Sequence, residues 1–229
     1  DKAQLLQDQR LLLAAQLVPA QRVVPLLLAL SDDKHSLIKH AMNQVVATLR
    51  MFVAEGTVAD KRFRRLVNQL SASEVTRLGL SSRDGETFDD STSRPIMLEA
   101  AVTGENDATI VALHRVFVAN NTHLANISSD IRRVVLVNEV LNFWDTLLFD
   151  YLMAEYMKAR DANYRADISA AVARSRDLTA IAQVLRTLKN GAVIKPQDLR
   201  SWYGDLIANE AAEQATWDWL RENWQWLSE

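Results

Sequence analysis

The sequence predicts an all-α fold, a HEAT-like superhelix of antiparallel helix pairs, with a compact irregular bundle as the competing reading. Three observations carry that expectation. Only 6 Gly and 4 Pro punctuate 229 residues, Leu and Ala are abundant, and continuous β-branched runs are scarce, a balance that favours helix. Apolar residues recur at helical spacing almost from end to end. After residue 94 the apolar segments are regular, each 11–16 residues long with short polar breaks, so that pairs repeat every ~30–35 residues, the period of helical solenoids.

The elements follow in order. Leu5, Leu6, Leu12 and Leu13 open the pattern; Pro19 ends the first helix, and Pro25 stands early in a second that runs to Ser31. "SDDKHSLIKHAMNQVVATLRMFVAEG" reads as one long helix, with Asp32 or Asp33 as N-cap and Gly56 near its stop. The stretch 81–94, "SSRDGETFDDSTSR", is the one obvious loop and the only candidate for an internal boundary. Beyond it, "RPIMLEAAVTG", "NDATIVALHRVFVAN", "SSDIRRVVLVNEVL", "WDTLLFDYLMAEYMKA", "NYRADISAAVAR", "DLTAIAQVLRTLKNG" and "KPQDLRSWYGDLIANE" are successive helices. Ser128 or Ser129 and Asp177 stand where caps belong, Gly191–Val193 is a turn, and Pro196 lies in a first turn. The final helix holds Trp217, Trp219, Trp224 and Trp226. At about 100° per residue, Trp217, Leu220, Trp224 and Leu227 share one face, opposite Trp219 and Trp226. A helix apolar on two sides is expected to be core packed between solenoid layers; a ligand platform of stacked tryptophans, or a face that packs on helices following in a longer parent protein, are the alternatives.

Composition bounds the function. Apolar residues make up 48% and charged residues 24%, and the formal net charge is −3, ordinary for a globular protein and without the basic footprint that a nucleic-acid or anionic-membrane partner demands. Absence of cysteine removes disulfides, thiol nucleophiles and Cys-based zinc sites together. No apolar run nears the ~20 residues of a membrane span. The first residues have neither an initiator Met nor a signal-peptide layout, and both ends fall inside helical patterns, so the chain reads as a fragment.

Chemistry-bearing patterns are few. His35 and His40 are five apart, about 140° around a helix, where a zinc peptidase needs a spacing of four and an interposed Glu; a solvent face explains them better, and His114 reads as a satisfied helix histidine. No nucleophile elbow or phosphate loop occurs. Asp89-Asp90 lacks the alternating oxygen ligands of a calcium loop. The basic runs Lys61, Arg62, Arg64, Arg65 and Arg132, Arg133 read as solvated helix faces, and Asp198 and Asp205, seven apart, show no sign of an acid/base pair. The residues alone describe a helical domain that shapes a surface.

A resemblance goes further. The Ala-rich helix followed by Ser175–Asp177, the "VIKPQDL" turn at Val193–Leu199, Asn209 at a helix end, and "TWDWLRENW" at Thr216–Trp224 together resemble the C-terminal helical domain of the aminopeptidase N family of zinc aminopeptidases. The opening "DKAQLLQDQRLLLAAQLVP" is similar to the start of that domain, with Lys2 where Arg is usual, and "RPIMLEAAVTGENDATIVALHRVF" fits its R-x-x-x-L-x-x-A helix. The likeness covers the whole chain, 1–229, as a single helical-repeat domain, and the Trp-rich ending looks most like lactic-acid-bacterial members. It implies a domain that closes over the zinc site of a preceding catalytic domain in the same chain, forming a cavity that admits peptides and limits access of proteins. The zinc motif HExxH with its downstream Glu, and the GxMEN motif, do not occur here, so the resemblance assigns no catalytic, cofactor-binding or metal residue to this chain; zinc would belong to the parent. The parent is expected in the cytoplasm. A cation in such a cavity would hold a peptide's terminal carboxylate: Arg174 first, Arg132 second. The alternative is a free-standing helical-repeat scaffold that binds a protein partner.

Overall fold

The helices stop and start where capping chemistry and packing allow. The computed structural model describes residues 1–228, in which all regular structure is helical and no strand occurs among the described residues. It resolves into two compact units, Asp1–Leu113 and His114–Glu229, with residues 81–94 inside the first.

The first unit contains α1 (Lys2–Ala14), α2 (Ala20–Leu30), α3 (Ser36–Arg50), α4 (Val58–Leu78), α5 (Phe88–Thr103) and the first half of α6 (Asp107–Ala119). Asp1, Thr57 and Thr87 cap α1, α4 and α5 by accepting the amides of Ala3, Asp60 and Asp90. Helix α1 packs on α3, α3 on α5, and α4 on α5. Their apolar stripes meet in a core of Leu6, Leu13, Leu27, Val45, Phe63 and Val67, among others.

The second unit holds the rest of α6, a 3-10 turn at Leu124–Asn126, α7 (Ser129–Asn142), α8 (Thr146–Lys158), α9 (Ala162–Val172) and α10 (Leu178–Thr187). A second 3-10 turn at Pro196–Asp198 leads into α11 (Leu199–Ile207), then α12 (Glu213–Glu222) and α13 (Trp224–Ser228). Asp145, Asp161 and Asp177 cap α8, α9 and α10. Packing runs between alternate helices, α7 on α9 and α9 on α11, as well as between neighbours. The same alternation in the first unit makes both compatible with stacked helix pairs.

Three expectations about elements are corrected. Helix α3 begins at Ser36, not at Asp32 or Asp33, and ends at Arg50; His35 is its N-cap residue and makes no side-chain cap. Its first amide is instead taken by Asp89 of α5, whose Oδ1 accepts both the Ser36 N–H at 2.8 Å and the Ser36 hydroxyl at 2.6 Å. The loop expected over 81–94 is shorter, because α5 starts at Phe88 on the Thr87 cap, with Asp89 and Asp90 in the favourable first turn. The Trp-rich end is two helices, broken at Asn223, and its tryptophans are not core. Ala212 and Thr216 are buried and Trp219, Leu220 and Asn223 half-buried; Trp217 remains 48% exposed, Trp224 64% and Trp226 36%. The tryptophan that fills the core is Trp202 of α11, fully buried and edge-on to Tyr156 of α8 with ring centroids 5.4 Å apart.

Candidate functional site

Helix α9 owes its position to small side chains. Ala170, Ala171 and Ala173 are buried, which lets neighbouring backbones approach closely at its end. The chain then turns through Arg174 and Ser175 before Asp177 starts α10. One side chain fixes this turn: Asn209, just beyond α11, donates from Nδ2 to the carbonyl of Ala173 at 2.8 Å and to that of Ser175 at 2.7 Å. The Asn209 Oδ1 accepts the amide of Ala211 at 3.1 Å, so its amide plane is itself held. The Ser175 hydroxyl accepts the Asp177 N–H at 3.1 Å. Arg174 therefore leaves the backbone between two pinned carbonyls. It is half-buried, and its guanidinium meets no acceptor among the described residues. A cation so placed is free to take an incoming carboxylate.

Arg132 stands differently. It is only 7% exposed. Its Nε donates to Asp167 Oδ2 at 2.9 Å, its Nη1 donates to the Ala125 carbonyl at 3.2 Å, and its guanidinium carbon lies 5.0 Å from the Tyr164 ring centroid. These contacts brace α7 against α9. Burial raises the Asp167 carboxyl above the usual range, more than the facing Arg132 lowers it. The structure thus does not bring Arg132 and Arg174 together as a pair of open cations. Arg132 reaches the body of α9, and Arg174 lies seven positions beyond its partner Asp167.

A parallel brace joins α8, α9 and the turn before α11. Arg165 Nε donates to Asp198 Oδ2 at 3.2 Å, and the Tyr156 hydroxyl donates to the same oxygen at 3.1 Å. Burial pushes the Tyr156 phenol up to about 12. Asp198 is thereby a structural acceptor, while Asp205 lies 3.9 Å from Arg133.

The histidines have local partners. His35 Nδ1 is 2.9 Å from Asp33, and His40 Nε2 is 3.0 Å from Gln44. His114 stacks on Phe143 with centroids 3.9 Å apart and puts Nδ1 2.9 Å from the buried Glu139. Burial raises the Glu139 carboxyl above its ordinary range, against the His114 contact. Among the described residues no group of three or more His, Asp or Glu side chains could hold a metal ion. Among the described residues no helix is long and apolar enough to cross a membrane.

The Asn209 clamp joins two features, Ser175–Asp177 and Asn209, that lie 34 residues apart in sequence. The model of the ERAP1-like C-terminal domain matches residues 1–229, the entire chain. The chain belongs to this family. Aminopeptidase N of Lactobacillus helveticus is 41% identical over 227 residues, which is 99% of this chain and 27% of the relative. Aminopeptidase N of Lactobacillus delbrueckii subsp. lactis is 37% identical over 224 residues, again 27% of its length. Aminopeptidase N of Lactococcus lactis subsp. lactis strain IL1403 is 32% identical over 229 residues and 27% of that protein. The chain therefore spans about a quarter of the length of the relatives it matches. As a domain of the aminopeptidase N family, it uses the residues that signal the resemblance chiefly as architecture: Asn209 pins a turn, Asp177 caps α10, and Asp198 anchors Arg165. Sequence reading noted Asn209 and Asp198 but could not assign them these roles, because their partners come from other helices. Asp167, the partner of Arg132, was missed; its signal is one acid in an otherwise Ala-rich helix.

Proposed function

We propose that this ERAP1-like domain is the substrate-gating part of a zinc-dependent aminopeptidase. It closes over the active site of a catalytic domain in the same polypeptide and shapes the cavity that receives peptides. The catalytic residues and the zinc belong to that other domain, and this chain supplies none of them. The observation that carries the reading is the match of the whole chain to the family together with its share, about a quarter, of relatives that are aminopeptidases.

Within the cavity, Arg174 takes the terminal carboxylate of the peptide. Its guanidinium meets no acceptor among the described residues, and Asn209 holds the backbone on both sides, so only the side chain remains to be ordered when the anion arrives. For Arg132 to serve the same way, its pair with Asp167 must first open; the geometry favours Arg174.

The test uses the full-length parent enzyme. Chelator-sensitive release of an N-terminal residue from a chromogenic amide establishes the activity. Arg174→Ala should then raise KM about 5–30-fold, the ~1–2 kcal/mol of one half-buried charge-assisted contact, for peptides with a free carboxylate, and leave their C-terminal amides and kcat unchanged. Equal effects on acid and amide peptides would remove Arg174 from the cavity. A parent without any peptidase activity would return the domain to the free-standing scaffold reading.

A further inference from the structure

The Trp-rich end presents a face for which residues 1–228 provide no cover. Helix α12 packs on α10 and α11 with Thr216, and Ala212 just before it, buried, while Trp217 stays exposed. The break at Asn223 redirects the chain so that Trp226 meets Trp219 edge-on at 6.2 Å, while Lys189 Nζ sits 5.4 Å from the Trp226 ring and donates to Asn223 Oδ1 at 3.0 Å. The platform is thus held in place from beneath. Its outer side carries Trp217 at 48% exposure, Trp224 at 64%, Trp226 at 36% and Leu227 at 37%. Single exposed apolar residues need no explanation, but four such side chains within eleven positions mark a contact surface. Helix α13 has five residues and buries none of them; a helix that short is not sustained by its own hydrogen bonds and relies on what packs against it.

We propose that this face is an intramolecular docking surface, covered in the parent by an apolar segment of the same aminopeptidase polypeptide that lies outside residues 1–229. The inference rests on the family reading above. Two observations choose this occupant over a second copy. The relatives match 98–100% of this chain yet it makes only 27% of each, so a large remainder of the same polypeptide is tethered at high effective concentration. The three exposed tryptophans offer roughly 200–400 Å², short of the ~800 Å² per partner that a stable dimer needs.

The experiment is fluorine NMR on the full-length aminopeptidase grown with 5-fluorotryptophan, with the Trp217 and Trp224 resonances assigned by Trp217→Phe and Trp224→Phe. The probe is a soluble gadolinium chelate, with the urea-unfolded enzyme as the exposed reference. Both resonances should be broadened at least fivefold less than in the reference, and that protection should survive tenfold dilution. Broadening equal to the reference would overturn the proposal, because the face would be open to water in the whole enzyme. Protection that disappears on dilution would also overturn it, in favour of a second copy. The outcome is separable from the gating reading: an enzyme that refuses folded proteins but shows exposed Trp217 and Trp224 retains its gate and loses this interface.

Discussion

A β-carbon on Gly104 would lie 2.6 Å from the backbone nitrogen of Asn68 and 2.9 Å from its Cα. That is a backbone collision between the end of α5 and the middle of α4, which no rotamer change relieves. Gly104→Ala should therefore destabilise the first unit by about 1–3 kcal/mol in urea unfolding. Gly204 is the internal control: it lies in α11 with open space around the added atom, so Gly204→Ala should stabilise by about 0.4–1 kcal/mol. The reverse order of these two effects would refute the packing described for α4 and α5. At the same scale, Asn209→Ala leaves the carbonyls of Ala173 and Ser175 without their shared donor. It should cost about 1–3 kcal/mol and also raise KM for free-carboxylate peptides, because Arg174 loses its fixed backbone.

Helices of the first unit are joined by a charge cluster that packing alone would not require. Glu74 of α4, with its side chain 1% exposed, faces Lys34 and Arg77, and Arg77 also reaches Asp90 of α5 at 2.6 Å. The buried ammonium of Lys39 donates to the Ser31 carbonyl; burial lowers its pKa against the pull of Glu74. Burial alone would raise the Glu74 carboxyl, but Arg77 and Lys34 outweigh it and hold it below the usual range. Glu74→Gln takes the facing carboxylate from buried Lys39 and from Lys34, while Arg77 keeps Asp90, and should cost about 2–3 kcal/mol, below the ~3–5 of a fully enclosed pair because Lys34 is half in solvent. No loss of stability by calorimetry would show the cluster to be ornamental. Elements were legible in the sequence where their signals are local. Asp177 caps α10 where a cap was expected, and the helices from 107 onward begin within a few residues of their apolar patterns. The start of α3 was not legible, because its acceptor, Asp89, lies 53 residues away. The start of α5 was hidden in a polar stretch whose Thr87–Asp90 spacing is itself a capping signal. Periodicity found the Trp217–Trp224 stripe but cannot say whether a stripe faces core, solvent or a further segment. Of the candidate site, Arg174 was reached through the resemblance, whereas its clamp depends on tertiary contact between helix ends.

At the scale of the whole molecule, the two units carry opposite responses to acid. In the first, Asp33, Asp60, Glu74, Asp89 and Asp90 are all held below the ordinary carboxylate range by hydrogen bonds and cations. Depressed carboxylates add stability above their unfolded values, and it is lost as pH falls from the ordinary range through the folded ones. In the second, Glu139 and Asp167 are raised by burial. Between the ordinary and the raised values the folded state binds more protons than the unfolded, so acidification there stabilises the second unit. Hydrogen exchange should show the second unit at least as protected near pH 5 as at pH 7, and the first unit opening first below about pH 4. Earlier opening of the second unit would contradict this assignment of buried charge.

The gate itself is tested most directly by substrate size. The full-length enzyme is given one N-terminal sequence on three substrates: a small chromogenic amide, a peptide of about ten residues, and a tightly folded protein. If this domain closes over the active site, the amide and the peptide are hydrolysed and the folded protein keeps its N-terminal residue, as read by mass spectrometry. Trimming of the folded protein at a rate like that of the peptide would mean an uncovered site, and the central claim would fall.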